Sequence, residues 1–257
     1  MNKNKEFVVI GYINEQVEGQ TIPKWGAAIV SQKTELPPFG EIQPYHIERY
    51  LDFSAGSSDL EMELYTLPLP LPVNNYPMLF APEQAPSAHH VIRDSLPLNM
   101  AVPDYIEEHS RQYDTPITLA QWIQAKGNLS IKVMPNQDAW FEASFEGLIP
   151  NSLYTVMALR EQDLNPSSPT RPGPLGVPNA FITDDKGCAE YKRLMKTPFC
   201  RTTGKKNKII NIVILFMSSQ SCHGGAIGIH GLGGDIHAQL KLKNHLELKS
   251  GDSNADY

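Results

Sequence analysis

Residues 221–242, SCHGGAIGIHGLGGDIHAQLKL, contain four side chains of types that bind transition metals. Cys222, His223, His230 and His237 offer one thiol and three imidazoles, the groups that zinc and copper prefer. Six residues separate each histidine from the next, and this spacing matches no compact zinc pattern such as Cys-x2-Cys. A copper or zinc site formed by these four residues is therefore the alternative hypothesis for this segment.

The same segment contains six glycines, which raises the question of a phosphate-binding loop. A dinucleotide fingerprint that starts at Gly231 needs a glycine at position 236, where this chain has Ile236. No glycine of the segment is followed directly by the Lys-Ser or Lys-Thr pair of a Walker loop, and the segment leads into a strand pattern instead of a helix. We expect the glycines to allow a sharp turn between two core strands and to form a flap over the end of the sheet.

Nucleophilic catalysis would need a base within hydrogen-bonding reach of an activated serine or cysteine. Cys222 and His223 are adjacent, but neighbouring residues on a strand point to opposite faces, and no Gly-x-Ser-x-Gly elbow is present. The histidine pair in residues 88–94 is interpreted as chance proximity in a loop. Asp184 and Asp185 lack the further oxygen ligands that calcium requires, so they predict a turn. The sequence therefore completes no catalytic constellation.

The strand that follows the glycines determines where His237 points. Ile236, Ala238 and Leu240 alternate with His237 and with polar neighbours, Gln239 and Lys241. Because alternate residues of a strand share a face, we expect the apolar set to face the core. The prediction places His237, with Gln239 and Lys241, on the solvent side.

The C-terminal half is predicted to be an antiparallel β-sandwich, because short strand patterns and turns recur about every ten residues. Residues 209–217 are apolar on both faces, which predicts a central strand. The DDKG sequence at residues 184–187 places Gly187 where a positive φ is needed, which predicts a hairpin over residues 179–194. The other predicted strands cover residues 129–135, 139–147, 152–159 and 235–248.

The N-terminal half is predicted to be rich in β-structure and turns, since the chain has 21 prolines. Strands are expected at residues 6–13, 25–31 and 59–67, and prolines at positions 68, 70 and 72 predict an extended surface segment. Helices are expected at residues 102–114 and 115–127, the second with Thr115 as N-cap and Gly127 as its end. The expected organisation is a β-rich portion (1–100), a helical connector (101–127), a sandwich (128–248) and a flexible tail (249–257).

Charge and hydropathy exclude several classes of partner. The net charge of −6 argues against nucleic-acid binding, which needs a concentrated basic face. The apolar run at residues 209–217 is about half the length that a transmembrane helix needs, and the N-terminus lacks a signal-peptide cleavage site. Three cysteines leave two possibilities, a single Cys188–Cys200 bridge or free thiols. We expect a soluble protein with free thiols, in the cytoplasm in preference to an exported location.

Residues 118–243 carry a set of positions that resembles a segment of poorly characterised bacterial proteins. The matching positions are Trp122, Ala125, Gly127, Gly147, Leu148, Pro150, Asn151, Tyr154 and Thr155, followed by a Gly-Pro-Leu-Gly loop at 173–176. Met157 stands where that pattern has a second tryptophan. The resemblance implies a β-sandwich module that is common in exported proteins, and it implies no activity. It does not extend to residues 1–110.

Strong structural patterns without a completed catalytic set favour a non-catalytic binding or structural module that presents loops at one end of a sandwich. Its ligand or protein partner is not specified by the sequence. The alternative is a copper- or zinc-dependent enzyme or metal carrier that uses Cys222, His223, His230 and His237.

Overall fold

The structure is a computed structural model. It describes residues 7–31, 46–66, 96–100, 115–164, 173–199, 207–220, 222, 236–243, 246 and 253–256. Within these residues the protein is mainly β, with twelve strands, one short α-helix and a few 3₁₀ turns, which confirms the predicted fold class. The predicted helix at 102–114 and the proline-rich segment after residue 67 lie outside the described residues. Within the described residues, no helix has both the length and the apolar character needed to cross a membrane.

The N-terminal strands form a three-stranded antiparallel sheet in the order β1-β2-β3. β1 (Phe7–Val17) and β2 (Gln20–Val30) pair along their full length, and β3 (Ile47–Tyr50) pairs with the end of β2. Both predicted strands are present and longer than expected. Glu18 and Gly19 have positive φ angles of 49° and 79°, and they make the tight turn of the hairpin. β1 lies beside β11.

Two further antiparallel sheets are formed by the rest of the described chain. The front sheet has the order β12-β4-β5-β9, with β4 (Lys126–Val133), β5 (Ala139–Glu146), β9 (Ala189–Met195) and β12 (Ser253–Asp256). The back sheet has the order β11-β10-β6-β7, and β8 also pairs with β6. Its strands are β6 (Leu153–Arg160), β7 (Gly173–Pro174), β8 (Ala180–Ile182), β10 (Ile209–Met217) and β11 (Ile236–Lys241).

The front and back sheets share one hydrophobic core and so form a sandwich. Phe181 of β8 stacks between Phe145 of the front sheet and Tyr154 of the back sheet, with ring centroids 5.1 Å and 5.4 Å away. In β4 and β5 the buried and exposed positions alternate as predicted, so that Leu129 and Phe141 face the core. Residues from both sheets therefore bury one continuous apolar layer.

β10 is the central strand of the back sheet, as the sequence predicts. It lies between β6 and β11, and all nine of its residues are buried. A strand that is covered on both faces needs apolar side chains on both, which explains the unbroken run of residues 209–217. Asn211 is the polar exception, and its side-chain amide donates to the Leu242 carbonyl oxygen at 3.2 Å.

The predicted helix at 115–127 is wrong in extent. The structure has a single turn, α1 (Leu119–Trp122), capped by Thr118, whose hydroxyl oxygen accepts from the Gln121 backbone N–H at 3.4 Å. Lys126 already begins β4, so Gly127 is a strand residue and does not end the helix. Leu119 and Trp122 are buried, and α1 is held by packing on the sandwich.

The predicted strand at 59–67 is also wrong at its beginning. Residues Ser58–Glu61 form a 3₁₀ helix with Ser57 as N-cap, and later residues make only isolated bridges. Asp59 turns inward, where Arg49 donates two hydrogen bonds to its carboxylate at 2.7 Å and 2.8 Å. Alternating polarity did not reveal this partly buried ion pair, in which the Arg49 side chain is 46% exposed. Further 3₁₀ turns lie at Leu98–Met100 and Glu161–Leu164.

The predicted hairpin over residues 179–194 is replaced by a connection between the two sheets. β8 pairs with β6 of the back sheet, whereas β9 pairs with β5 of the front sheet. Gly187 does adopt a positive φ of 75°, as expected for the turn. A Cβ atom there would lie 2.1 Å from the Leu148 carbonyl oxygen, so the turn packs tightly on the neighbouring corner.

The end of the chain contains a strand where the sequence predicts a flexible tail at 249–257. Ser253–Asp256 form β12, which pairs antiparallel with β4 from Asn128 to Ile131. The polar sequence of this segment gave no strand pattern. As an edge strand, β12 can pair with β4 without contributing an apolar face to the core.

Candidate functional site

Of the four predicted metal ligands, the structure describes Cys222 and His237; His223 and His230 lie outside the described residues. Cys222 is exposed. His237 is half-buried and pairs with Phe216 across β10 and β11, and the two rings lie 6.3 Å apart. Within the described part of the chain, no group of three or more histidine, cysteine or acidic side chains is arranged to hold a metal ion.

The predicted orientation of β11 is wrong for Gln239 and His237. Gln239 is only 6% exposed; its oxygen accepts from the Tyr154 hydroxyl at 2.5 Å and its amide donates to the Trp122 carbonyl oxygen at 3.1 Å. The pairing between β10 and β11 shifts between Ile214 and Leu215, which leaves Gln239 as an extra residue. This bulge changes the alternation, so His237 is half-buried against Phe216 instead of standing free in solvent.

His237 forms a contact that could in principle be a nucleophile–base pair. Its Nε2 atom lies 2.8 Å from the Ser218 hydroxyl oxygen, within the reach that serine activation requires. Ser218, however, is 0% exposed, so no substrate can contact its oxygen in this structure. The pair instead joins the end of β10 to the start of β11.

The sequence did not reveal this pair, because Ser218 and His237 are 19 residues apart and meet only through strand pairing. The one available signal was position: a serine directly after a buried strand and a histidine at the start of the next. That signal is weak without knowledge of the register.

The cysteines described by the structure are thiols. Cys188 is half-buried and Cys222 is exposed, and neither forms a disulfide. The possibility of a Cys188–Cys200 bridge, which the sequence left open, is therefore not realised in this structure. Cys200 itself lies outside the described residues.

The outer face of the front sheet contains an extended concave surface. Two depressions of about 770 Å³ and about 590 Å³ adjoin there, because Asn128 and Ser144 line both. We call this surface the groove. Its walls are formed mainly by polar side chains from β4, β5 and β9, which include Lys126, Ser130, Glu142, Glu146, Glu190 and Lys192.

Strand register explains how the groove is formed. Asn128, Ser144 and Glu190 are cross-strand neighbours, and the next outward row consists of Ser130, Glu142 and Lys192. Side chains directly opposite each other lie about 4.5–5.5 Å apart at their Cβ atoms. Short serine and asparagine side chains therefore make the floor, and longer charged side chains stand around it.

Charges of both signs line the groove. The Lys192 ammonium lies 2.5 Å from a Glu142 carboxylate oxygen, with side chains 59% and 49% exposed, and 5.1 Å from the centre of the Trp140 ring. Such exposed ion pairs contribute little to stability, about 0–1 kcal/mol, and they rearrange easily. Lys243 stands at the other end of the groove.

One edge of the groove is fixed by β9 and the Gly-Pro-Leu-Gly loop. The Tyr191 hydroxyl donates to the Leu175 carbonyl oxygen, and burial raises the pKa of this phenol well above its usual range. Arg193 packs over the Tyr191 ring at 4.6 Å and donates to the Pro178 carbonyl oxygen at 2.6 Å. Its guanidinium is thereby held against the loop instead of the groove floor.

The residues that carry the sequence resemblance have structural roles. The Tyr154 hydroxyl accepts from the Ile149 backbone N–H at 2.8 Å, which fixes the corner between β5 and β6. Gly147 lies so close to α1 that a Cβ atom would be 2.4 Å from the Gln124 carbonyl oxygen. Trp122 is buried and meets Phe216 edge-on, with centroids 5.7 Å apart. The pattern therefore describes how the sandwich is built and not a reactive site.

No protein-family model matches the chain, and comparisons with curated proteins and with solved structures found no match.

Proposed function

We propose that the protein is a non-catalytic binding module with a β-sandwich fold, and that the groove on the front sheet is its ligand site. One observation supports this proposal above others: two adjoining depressions whose side chains can both donate and accept hydrogen bonds. Their volumes fall within the range of small-ligand sites, about 300–1,000 Å³. The sequence alone favoured loops at one end of the sandwich, and the groove moves the proposed site to a sheet face.

The construction of the front sheet supports a binding role. Below the groove floor, the core-facing residues of β4 and β5 are buried, among them Leu129, Ile131, Phe141 and Phe145. Because their packing fixes the backbone, the polar side chains above them project from rigid strands. Sites placed on strands are held more accurately than sites on loops, so less free energy is lost on ordering them.

The contacts available to the groove also favour binding over chemistry. Its polar groups are carboxylates, ammonium groups, serine hydroxyls and an amide, and Lys192 is already paired with Glu142. The serine–histidine contact elsewhere in the back sheet has its oxygen sealed from solvent. A nucleophile and its base must both reach a substrate for covalent catalysis.

A ligand-observed screen with a blocking variant tests the proposal. Ser144 lies on the groove floor and is exposed, so Ser144→Tyr should fill the junction of the two depressions while the strand, which tolerates tyrosine well, stays folded. Ser58→Tyr, at an exposed serine in the 3₁₀ helix, is the matched control. Compounds from a fragment library should shift the backbone amide resonances of Asn128 and Glu190 in the native protein and in Ser58→Tyr, but not in Ser144→Tyr.

Two results would contradict the proposal. The first is a fragment screen in which the groove resonances do not move, or move equally in both variants. The second is turnover of a simple ester, phosphate or redox substrate that is lost in His230→Ala or in His237→Ala, because that would identify an enzyme.

A metal carrier or metal-dependent enzyme is the second candidate, and one observation favours it. Met217 pairs with Ile236 and Phe216 with His237, so the segment that contains His223 and His230 begins and ends at one place. Cys222 follows the last residue of β10 by five positions, and His237 is the second residue of β11. Elemental analysis of the gently purified protein should find about one copper or zinc ion per chain if this candidate is correct. A content below a tenth of an ion per chain would exclude this second candidate function.

A further inference from the structure

We propose that the ligand of the groove is an uncharged, hydroxyl-rich chain, that is, a neutral oligosaccharide. This inference rests on the proposed function, because it names the ligand class of the same groove. It follows from three properties of the groove: its hydrogen-bonding groups, its charge balance and the scarcity of apolar anchors.

The hydrogen-bonding groups of the groove alternate in type over short distances. In one outward row, the Asn128 amide and the Ser144 hydroxyl can each donate and accept, next to the Glu190 carboxylate, which accepts. The adjacent row places Glu142, an acceptor, directly against Lys192, a donor. A sugar hydroxyl also donates and accepts at one oxygen, so a chain of such groups can satisfy donors and acceptors that lie side by side.

The charge balance disfavours a charged ligand. Among the side chains that the structure describes, those that line the groove and carry charge are four cations and three carboxylates, and one of the cations, Arg193, is held against Pro178. The remaining three ammonium groups and three carboxylates cancel. An anion at the floor would meet Glu142 or Glu190 as closely as any lysine, so nucleic acid and acidic polymers, which need a basic surface, gain little here.

Protein and peptide ligands fit the groove less well. An extended peptide binds a sheet through backbone groups at a free edge, whereas this surface is the face of the sheet and presents side chains. Interfaces between proteins are dominated by buried aromatic or aliphatic anchors. On the outward face of β5 and β9, large apolar side chains are limited to half-buried Trp140 and to Leu194, which is 40% exposed.

Trp140 does not line the two depressions, but it lies next to the groove and offers a platform that suits a sugar ring. It occupies the outward row next to Glu142 and Lys192, and the Lys192 ammonium now lies over its ring. An indole combines a broad apolar face with a polar N–H, as a pyranose combines an apolar face with a hydroxyl rim. Because the Glu142–Lys192 pair is exposed and weak, Lys192 can swing toward a sugar hydroxyl and uncover the ring.

The test uses defined probes and the intact chain. Neutral hexasaccharides of glucose, xylose and N-acetylglucosamine are compared with hexagalacturonate, heparin hexasaccharide and a mixed-charge peptide. Amide resonances of Asn128, Ser144 and Lys192 report binding at the groove, and isothermal titration gives the affinity. Ser144→Tyr and Trp140→Ala are compared with Ser58→Tyr, and thermal melting confirms that each variant is folded.

The expected result is that at least one neutral hexasaccharide shifts these groove amides. Its affinity should fall at least tenfold in Ser144→Tyr and stay within twofold in Ser58→Tyr. If only the charged sugars or the peptide shift the groove amides, the inference of a neutral saccharide is wrong while the groove remains a binding site. If no sugar or peptide shifts them but the fragment screen does, the saccharide class is likewise excluded. If neither does, both proposals fail.

Discussion

The corner at Gly147 gives the sharpest test of how the sandwich is assembled. Gly147 has a φ of 67°, and a Cβ atom there would lie 2.4 Å from the Gln124 carbonyl oxygen and 2.9 Å from its carbon. A left-handed backbone costs an alanine about 1–2 kcal/mol. The shift of the backbone that would relieve the clash costs about 1–3 kcal/mol more, as in overpacked cores. The substitution Gly147→Ala should therefore lower the free energy of unfolding by roughly 2–5 kcal/mol.

The matched control is Gly56→Ala. Gly56 has a φ of 85°, yet a Cβ atom there would have no neighbour within 4 Å. This control carries only the backbone cost of about 1–2 kcal/mol. Urea denaturation followed by circular dichroism measures both variants against the native protein. The reasoning is refuted if Gly147→Ala loses no more stability than Gly56→Ala, because the contact with Gln124 would then be absent.

Three further substitutions probe polar groups that are buried or half-buried. Tyr154→Phe leaves the buried Ile149 N–H without its acceptor, so the free energy of unfolding should fall by about 1–3 kcal/mol in urea titrations. Burial lowers the pKa of Lys241 from 10.5 to about 8; the folded state releases this proton first, so stability should rise between these two pH values, and Lys241→Met should remove the rise. Hydrogen bonds from Arg49 lower the pKa of the Asp59 carboxyl, so Asp59→Asn should destabilise at neutral pH, with the difference disappearing as pH falls through that lowered pKa.

Each of these three has its own control. Tyr65→Phe removes a hydroxyl that bonds Glu63 at 3.0 Å on a half-buried residue, and it should cost less than Tyr154→Phe. ¹³C-dimethylation of the amines, followed by NMR, should yield a lysine resonance that titrates near pH 8 and is missing from Lys241→Met. For Asp59→Asn, a stability difference that persists unchanged in acid would show that the carboxylate charge is not what Arg49 recognises.

Local patterns in the sequence predicted those elements whose burial is simple. Residues 209–217 are apolar on both faces and form the fully buried β10, and β5 shows the expected alternation. In both cases the side chains needed only to match their own strand's exposure. The polarity of consecutive residues therefore predicts which of them are buried, and this prediction needs no knowledge of the partner strands.

The errors share a different physical cause, which is dependence on distant partners. The turn at Gly187 was correct, yet the strands on either side pair with different sheets, and turn chemistry does not encode this choice. Gln239 faces the core because a bulge shifts the register and because Tyr154 and Trp122 satisfy its amide. The groove was missed for the same reason, since its rows combine residues from three strands.

The hydrogen bond between Ser218 and His237 has a consequence for engineering the protein. This hydrogen bond links the residue that follows β10 to the beginning of β11. An engineered variant should therefore keep both Ser218 and His237, because Ser218→Ala alone removes the side-chain link between the two strand ends.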